Sequence, residues 1–200
     1  MKHLNAFLFL ILLSSNASAT SVQTVNLVEM VETAARIFHG RCLSVQEVVP
    51  SEDEISYYVY EFEVLDGIQG VQTGETLRFR QVMGLRGRHF PIRGLPTFQP
   101  GQQLVLFLHG DGETGLTSPV GLHQGVFERR EDSLGGIGWL NGTNNTNLAA
   151  DLTADKAKRL GLDPARLEEF SLGMALSLDS LKSSVRSIQR VLSERESKIR

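Results

Sequence analysis

Residues 55–65 have the sequence ISYYVYEFEVL, and the alternation within this stretch decides the fold class of the chain. Apolar side chains recur at every second position, and glutamates lie between them at positions 61 and 63. A period of two predicts a β-strand with one face in a core and the other in water. The side chains predicted to face the core are Tyr58, Tyr60, Phe62 and Val64.

Further strands are predicted on both sides of this stretch. Ile37 to Val49 indicates a strand that is interrupted at Gly40, and residues 77–80 alternate between apolar side chains and arginines. Residues 103–109 are almost continuously apolar, which predicts a central strand buried on both faces. Residues 116–129 contain one or two further strands. The chain is therefore rich in β-structure from about residue 37 onwards.

Helices are predicted at both ends of the β-rich region. Residues 27–36 form a short amphipathic helix with Asn26 as its N-cap, whereas the Gly- and Asn-rich residues 133–147 predict irregular structure. Short helices follow at 155–160 and 164–170. A longer helix, capped by Ser177 and ending near residue 197, carries an apolar seam with spacings of four and three. The seam consists of Met174, Leu178, Leu181, Val185, Ile188 and Leu192.

This order of elements predicts a mainly β fold. About five strands after a short helix are typical of an OB-like Greek-key β-barrel, here with a C-terminal helical extension. The predicted organisation is a signal peptide at 1–19, the barrel domain at 20–150 and the helical extension at 151–200. The seam of the last helix docks on the chain's own barrel or pairs with a second copy. Three heptads are short for an independent coiled coil, so we expect a monomer with a docked helix.

The first nineteen residues predict export. A basic start at Lys2 precedes a short apolar run at 7–13, and Ala17-Ser18-Ala19 form a small-residue cleavage site. This combination is typical of a secretory signal peptide, and the run is too short for a membrane-spanning helix. We expect cleavage after Ala19, a mature chain beginning at Thr20, and a secreted or periplasmic location.

Composition excludes several classes of function. Loss of Lys2 with the signal changes the net charge from −3 to −4, which argues against a nucleic-acid partner. Cys42 is the single cysteine, so no intramolecular disulfide forms. No second apolar segment of membrane length follows the signal, so no membrane insertion of the mature chain is expected.

Residues 33–109 resemble the netrin-like and tissue-inhibitor-of-metalloproteinase-like OB domains. The segments that carry the resemblance are TAARIFHGR (33–41), YEFEVLDG (60–67), GETLRF (74–79) and FQPGQQLVLF (98–107). Because disulfides are absent, the chain is most similar to the disulfide-free secreted bacterial type. The resemblance implies an OB fold and a binding or inhibitory role toward a secreted protease.

The chain departs from the animal inhibitors at its N-terminus. Those inhibitors bind the protease zinc through the amino group and carbonyl of an N-terminal cysteine, whereas the expected mature chain here begins Thr20-Ser21-Val22. This departure puts the family's inhibitory mechanism in doubt. The resemblance nevertheless adds Thr20 and Ser21 to the candidate binding residues.

The sequence offers no catalytic or metal-binding motif. His39, His89, His109 and His123 remain after cleavage, and none is paired at metal-ligand spacing. Cys42 lies three residues from His39, which places the two side chains on opposite faces of a strand. We therefore expect no enzyme activity, no metal and no cofactor.

The strongest candidate for a binding surface is the long loop after the third strand. Five arginines occur within residues 78–93, and the loop at 84–101 also contains Phe90 and Phe98, which we expect to be exposed. Long loops are often functional, and arginine with aromatic residues is the composition of binding hot spots. The alternative is a solubilising loop folded over one barrel end. The candidate binding residues are Arg86, Arg88, His89, Phe90 and Arg93, together with Thr20 and Ser21.

The sequence thus favours an exported, non-enzymatic protein-binding module, with a protease-associated or inhibitor-like role as the first case. The alternative is an envelope structural protein that assembles through its C-terminal helix. A hydrolase with a convergent His/Cys site is the third and least supported hypothesis.

Overall fold

A computed structural model describes residues 23–51, 54–84, 92 and 94–199 of the chain. Its centre is one six-stranded antiparallel sheet with the strand order β3-β2-β1-β4-β5-β6. The fold is therefore mainly β, as the alternation at 55–65 predicts. The strands are β1 (Arg36–Val48), β2 (Ser56–Gln69), β3 (Thr76–Gly84), β4 (Gln103–Leu108), β5 (Val126–Glu131) and β6 (Ile137–Asn141).

The prediction of a β-barrel of about five strands is wrong. The sheet is open, and its edges are β3 and β6. A single bridge, in which the Thr117 N–H donates to the Arg80 carbonyl at 2.8 Å, joins β3 to the segment between β4 and β5. Closure of a barrel needs a continuous ladder between its first and last strands. Instead β6, which the sequence indicates as irregular, extends the sheet beyond β5.

The sheet has a hydrophobic core on each face. Alternate residues of β4 point to opposite sides, so Val105 and Phe107 belong to one core and Leu104, Leu106 and Leu108 to the other. All five are at most 1 % exposed. The expectation that β4 is a central strand buried on both faces is thus confirmed, and one core contains the predicted Tyr60, Phe62 and Val64.

Four helices cover the core on the Val105 side. They are α1 (Leu27–Thr33), α2 (Ala154–Arg159), α3 (Pro164–Ser171) and α4 (Leu178–Ile199). The predicted cap of α4 is present, because the Ser180 N–H donates to Ser177 Oγ at 3.0 Å. The seam residues Leu181, Val185 and Ile188 are completely buried in the same core as α1. None of the helices in the described part of the chain has the length and apolar character needed to cross a membrane.

Hydrogen bonds from buried amides hold the N-terminal segment on this framework. The Asn147 side chain donates to the Val25 carbonyl at 2.5 Å, and the Val25 N–H donates to Gln124 Oε1 at 2.9 Å. Gln124 Nε2 also donates to the Gln23 carbonyl at 2.9 Å. The helix α1 then starts with a capping box between Asn26 and Glu29. The position of residues 23–26 is therefore fixed by polar contacts with distant parts of the chain.

Candidate functional site

The seven candidate binding residues lie outside the described residues. Thr20 and Ser21 precede the first described residue, and the other five, Arg86, Arg88, His89, Phe90 and Arg93, lie in 85–91 and at 93. The described residues next to them are Gln23 and Thr24 on one side, and Gly84, Ile92 and Gly94 on the other. The site is therefore defined by the residues that flank the two predicted segments.

The C-terminal part of the arginine-rich loop is attached to strand β3. The Ile92 N–H donates to the Met83 carbonyl at 3.2 Å. The buried Gln81 side chain donates to the Pro96 carbonyl at 2.7 Å. Hydrogen bonds of buried groups are costly to lose, because the partner left behind stays unsatisfied. Residues 92 and 94–99 therefore have a defined place beside the sheet.

Phe98 is buried, which contradicts its expected exposure. It is 2 % exposed and packs edge-on against Tyr60, with the ring centroids 4.9 Å apart, and against Phe62 at 5.7 Å. Edge-to-face aromatic pairs at these distances are favourable beyond the area that they bury. Phe98 therefore anchors the C-terminal part of the loop in the core.

A first cleft lies between this anchored segment and the β1–β2 hairpin. It has a volume of about 480 Å³, and its walls include Glu47, Tyr58, Ile92 and Gly94. Burial raises the pKa of the half-buried Tyr58, and the negative charge of Glu47 acts in the same direction. The Tyr58 hydroxyl therefore stays neutral at physiological pH and is available as a hydrogen-bond donor.

A second, smaller cleft adjoins the first at Gly94. It has a volume of about 220 Å³ and is lined by Thr24, Gly94, Leu122 and His123, with Gly142 at its edge. Gly94 contributes to both clefts. Thr24 follows the expected mature N-terminus by four residues, and Gly94 directly follows Arg93. The two segments that the sequence predicts to bind a partner therefore leave the described fold at one place, which we call the Gly94 surface.

Sequence reasoning did not indicate Tyr58, Leu122 or His123 as site residues. Tyr58 was assigned to the core face, and it does pack beside Tyr60 with ring centroids 5.6 Å apart, but it also reaches the cleft. Leu122 adopts a positive φ of 59° directly after Gly121, and no local pattern indicates this. These residues meet Gly94 only through tertiary folding, so the chain carries no signal that would have found them.

His39 and Cys42 lie on opposite faces of the sheet, as their spacing predicts. The His39 ring contacts Trp139 edge-on at 5.2 Å, whereas Cys42 is buried in the aromatic core on the other side. Burial lowers the pKa of His39 and raises the pKa of the Cys42 thiol to about 11. A thiol with this pKa is protonated at neutral pH and is a poor nucleophile. Among the residues that the structure describes, no three His, Cys, Asp or Glu side chains are grouped to hold a metal ion.

Compared with known proteins, the chain matches no family model, no curated protein and no solved structure. The relation to netrin-like domains therefore stays a prediction from the sequence.

Proposed function

We propose that this protein is an exported, non-enzymatic binding module that recognises a partner protein through the Gly94 surface. The observation that carries the proposal is the convergence of Thr24 and Gly94 in one cleft. Residues 20–21 and 86–93 lie close in sequence to Thr24 and Gly94, respectively. The second of these segments combines arginine with phenylalanine, a composition typical of interface hot spots. The signal-peptide pattern of residues 1–19 supports a secreted or periplasmic location.

The strand connections support a relation to the OB fold, although the sheet is open. The first strand, β1, is long, and it pairs with β2 on one side and with β4 on the other. The Arg80–Leu116 bridge then links β3 to the segment that follows β4. A partly open Greek-key arrangement is common in OB folds. We therefore propose a netrin-like ancestry, with a secreted protease as the first class of partner to test.

The expected mode of binding differs from that of the animal inhibitors. With Thr20 as the mature N-terminus, no cysteine is available there to bind a protease zinc. The partner is instead held by guanidinium and aromatic side chains of the loop, which bind carboxylates and apolar pockets. Assembly through α4 has less support, because Leu181, Val185 and Ile188 are buried within the chain.

The test uses the chain secreted from its native host with its own signal sequence. N-terminal sequencing of the exported protein is expected to begin at Thr20. The exported protein then serves as bait in the native medium or envelope fraction. Each captured protein is purified, and its affinity for the bait is measured directly. A full-length chain that is retained in the cytoplasm and still begins at Met1 contradicts the proposed location.

The binding surface is tested with a triple variant, Arg86→Ala, Arg88→Ala and Phe90→Ala. The matched control replaces Arg129, Arg190 and the 68 % exposed Ile137 with alanine, at positions away from the Gly94 surface. Loss of two or more hot-spot side chains is expected to lower the affinity by at least about tenfold. The control is expected to bind like the wild type. Equal weakening in both variants contradicts recognition by this loop.

A further inference from the structure

Two clefts lie on the outer face of the β1–β2–β3 part of the sheet. Tyr57 and Val59 alternate along β2 with the half-buried Tyr58 and the buried Tyr60, so they face away from the aromatic core. The clefts have volumes of about 540 and 450 Å³, and both are open to solvent. Val48, Tyr57 and Arg80 line both of them and form the wall between them.

The guanidinium of Arg80 is held in a fixed position in this wall. Its Nη2 donates to the Thr114 carbonyl at 3.0 Å, and its central carbon lies 5.4 Å from the centroid of the Tyr57 ring. Gly115 packs directly on it, because a Cβ at this residue would lie only 2.1 Å from Nη2. A cation over an aromatic ring with one hydrogen bond made is ordered before any ligand arrives. Among the described residues, no carboxylate oxygen lies within 4.0 Å of the Arg80 guanidinium nitrogens.

Among the residues that the structure describes, the lining of the first cleft carries more positive than negative charge. Asp111, the one acidic residue in the described lining, is paired with Arg36 at 2.5 Å. Arg78 lines the same cleft and lies 3.9 Å from Glu61, but both side chains are exposed, and exposed pairs contribute little. Arg78 and Arg80 occupy alternate positions of β3 and therefore project from the same face. Together they present two guanidinium groups to one ligand.

The second cleft has a different, largely apolar lining. Its walls include Val48, Pro50, Ile55 and Leu116. Its acidic residue, Glu54, accepts a hydrogen bond from the Ser51 N–H at 3.3 Å. A ligand that occupies both clefts therefore places an anionic group beside Arg78 and Arg80 and an apolar group beyond Tyr57.

We propose that these clefts form a second binding site, for an extended peptide segment in which an acidic residue is followed or preceded by apolar residues. Two open clefts separated by one shared wall fit an extended chain better than a compact small molecule. The carboxylate is the preferred planar partner of a guanidinium. Side chains are the expected contacts at Arg80, because its backbone carbonyl at the edge of β3 already accepts the Thr117 N–H.

The proposal is tested with an array of hexapeptides that are acetylated and amidated, so that side chains carry the only carboxylates. Each peptide combines glutamate with valine or leucine and has a partner in which glutamine replaces glutamate. We expect binding by a subset of the glutamate peptides, with affinity at least about tenfold above that of their glutamine partners. No such difference in any pair overturns the proposal.

Variants then locate the site with the best glutamate peptide as the probe, in fluorescence anisotropy. Arg80→Gln is expected to abolish the preference for glutamate, whereas Arg129→Gln on the far strand β5 is expected to leave it unchanged. Arg78→Gln is a second variant at a 63 % exposed side chain, and it is expected to weaken binding even if Arg80→Gln impairs folding. Equal affinity of wild type and Arg78→Gln, or equal effects of Arg80→Gln and Arg129→Gln, overturns the assignment of the site.

The outcome is independent of the Gly94 surface. The triple variant at residues 86, 88 and 90 retains Arg78 and Arg80, so it is expected to bind the peptide like the wild type. A loss of peptide binding in that variant would mean that the peptide occupies the Gly94 surface, and it would overturn the second site.

Discussion

Replacement of Leu181 by alanine tests whether helix α4 is part of the fold. The Leu181 side chain is completely buried, as are Val185 and Ile188 one and two turns further along the same face. The substitution removes three carbon atoms, and at about 0.8 kcal/mol for each the lost transfer free energy is about 2.4 kcal/mol. The cavity that remains adds to this, so we expect a total loss of about 3–5 kcal/mol. Alanine favours helix formation, so the loss reports packing and not helix propensity.

The assay is urea unfolding of the mature chain, followed by the far-UV signal. The midpoint is expected to fall while the slope of free energy against urea stays the same, because the surface exposed on unfolding hardly changes. Leu172→Ala is the matched control, because that leucine is 56 % exposed. Exposed positions of this kind usually change stability by less than about 0.5 kcal/mol.

Two results would refute the reasoning about α4. A loss below about 1 kcal/mol for Leu181→Ala would mean that the helix contributes little to the core, since buried leucines cost more than this. A midpoint that rises with protein concentration would mean that the seam packs against a second chain, because only association links stability to concentration.

Two further predictions concern polar groups. The Asp132 carboxylate accepts three backbone hydrogen bonds, above all from Ala175, and these lower its pKa. The ionised carboxylate therefore stabilises the fold at a pH above the pKa that Asp132 has in the unfolded chain. This contribution disappears as the pH falls through the lower pKa of the folded state. The unfolding curves of wild type and Asp132→Asn are thus expected to converge in acid below about pH 4. Asn147→Ala removes the donor to the Val25 carbonyl and is expected to lower the free energy of unfolding by about 1–3 kcal/mol, with faster amide exchange at Val25. The control, Asn144→Gly at an exposed position, is expected to change neither the stability nor the exchange rate.

The parts of the fold that the sequence predicts correctly depend on local periodicity. The alternation along 55–65 identifies β2, and the continuous apolar run at 103–109 identifies the central strand β4. Asn26 and Ser177 mark helix starts, because the first backbone N–H groups of a helix have no acceptor within the helix and a side chain supplies one. In each case neighbouring residues contain the whole signal.

The errors arise where a distant contact decides the structure. Strand β6 has an Asn at its end and Gly138 in its interior, so its sequence resembles a loop. It is nevertheless a strand, because Trp139 exchanges both backbone hydrogen bonds with Leu176 on one side while β5 pairs on the other. Gly138 is required there, since a Cβ would lie 2.5 Å from the Leu176 carbonyl oxygen. The presence of β6 and the lack of a ladder at β3 are the reasons why the sheet is open.

The candidate site shows the same division between local signal and tertiary placement. The sequence indicates the arginine-rich loop and the mature N-terminus, but it does not bring them together. The N-terminal segment is placed by Asn147 and Gln124, which are polar and lie in irregular sequence. Their side chains form hydrogen bonds with the backbone of Gln23 and Val25. Because buried amides are costly to leave unsatisfied, this network specifies one position for the N-terminal segment. The location of the Gly94 surface therefore depends on these amides, and its integrity is expected to fail with them before the hydrophobic core unfolds.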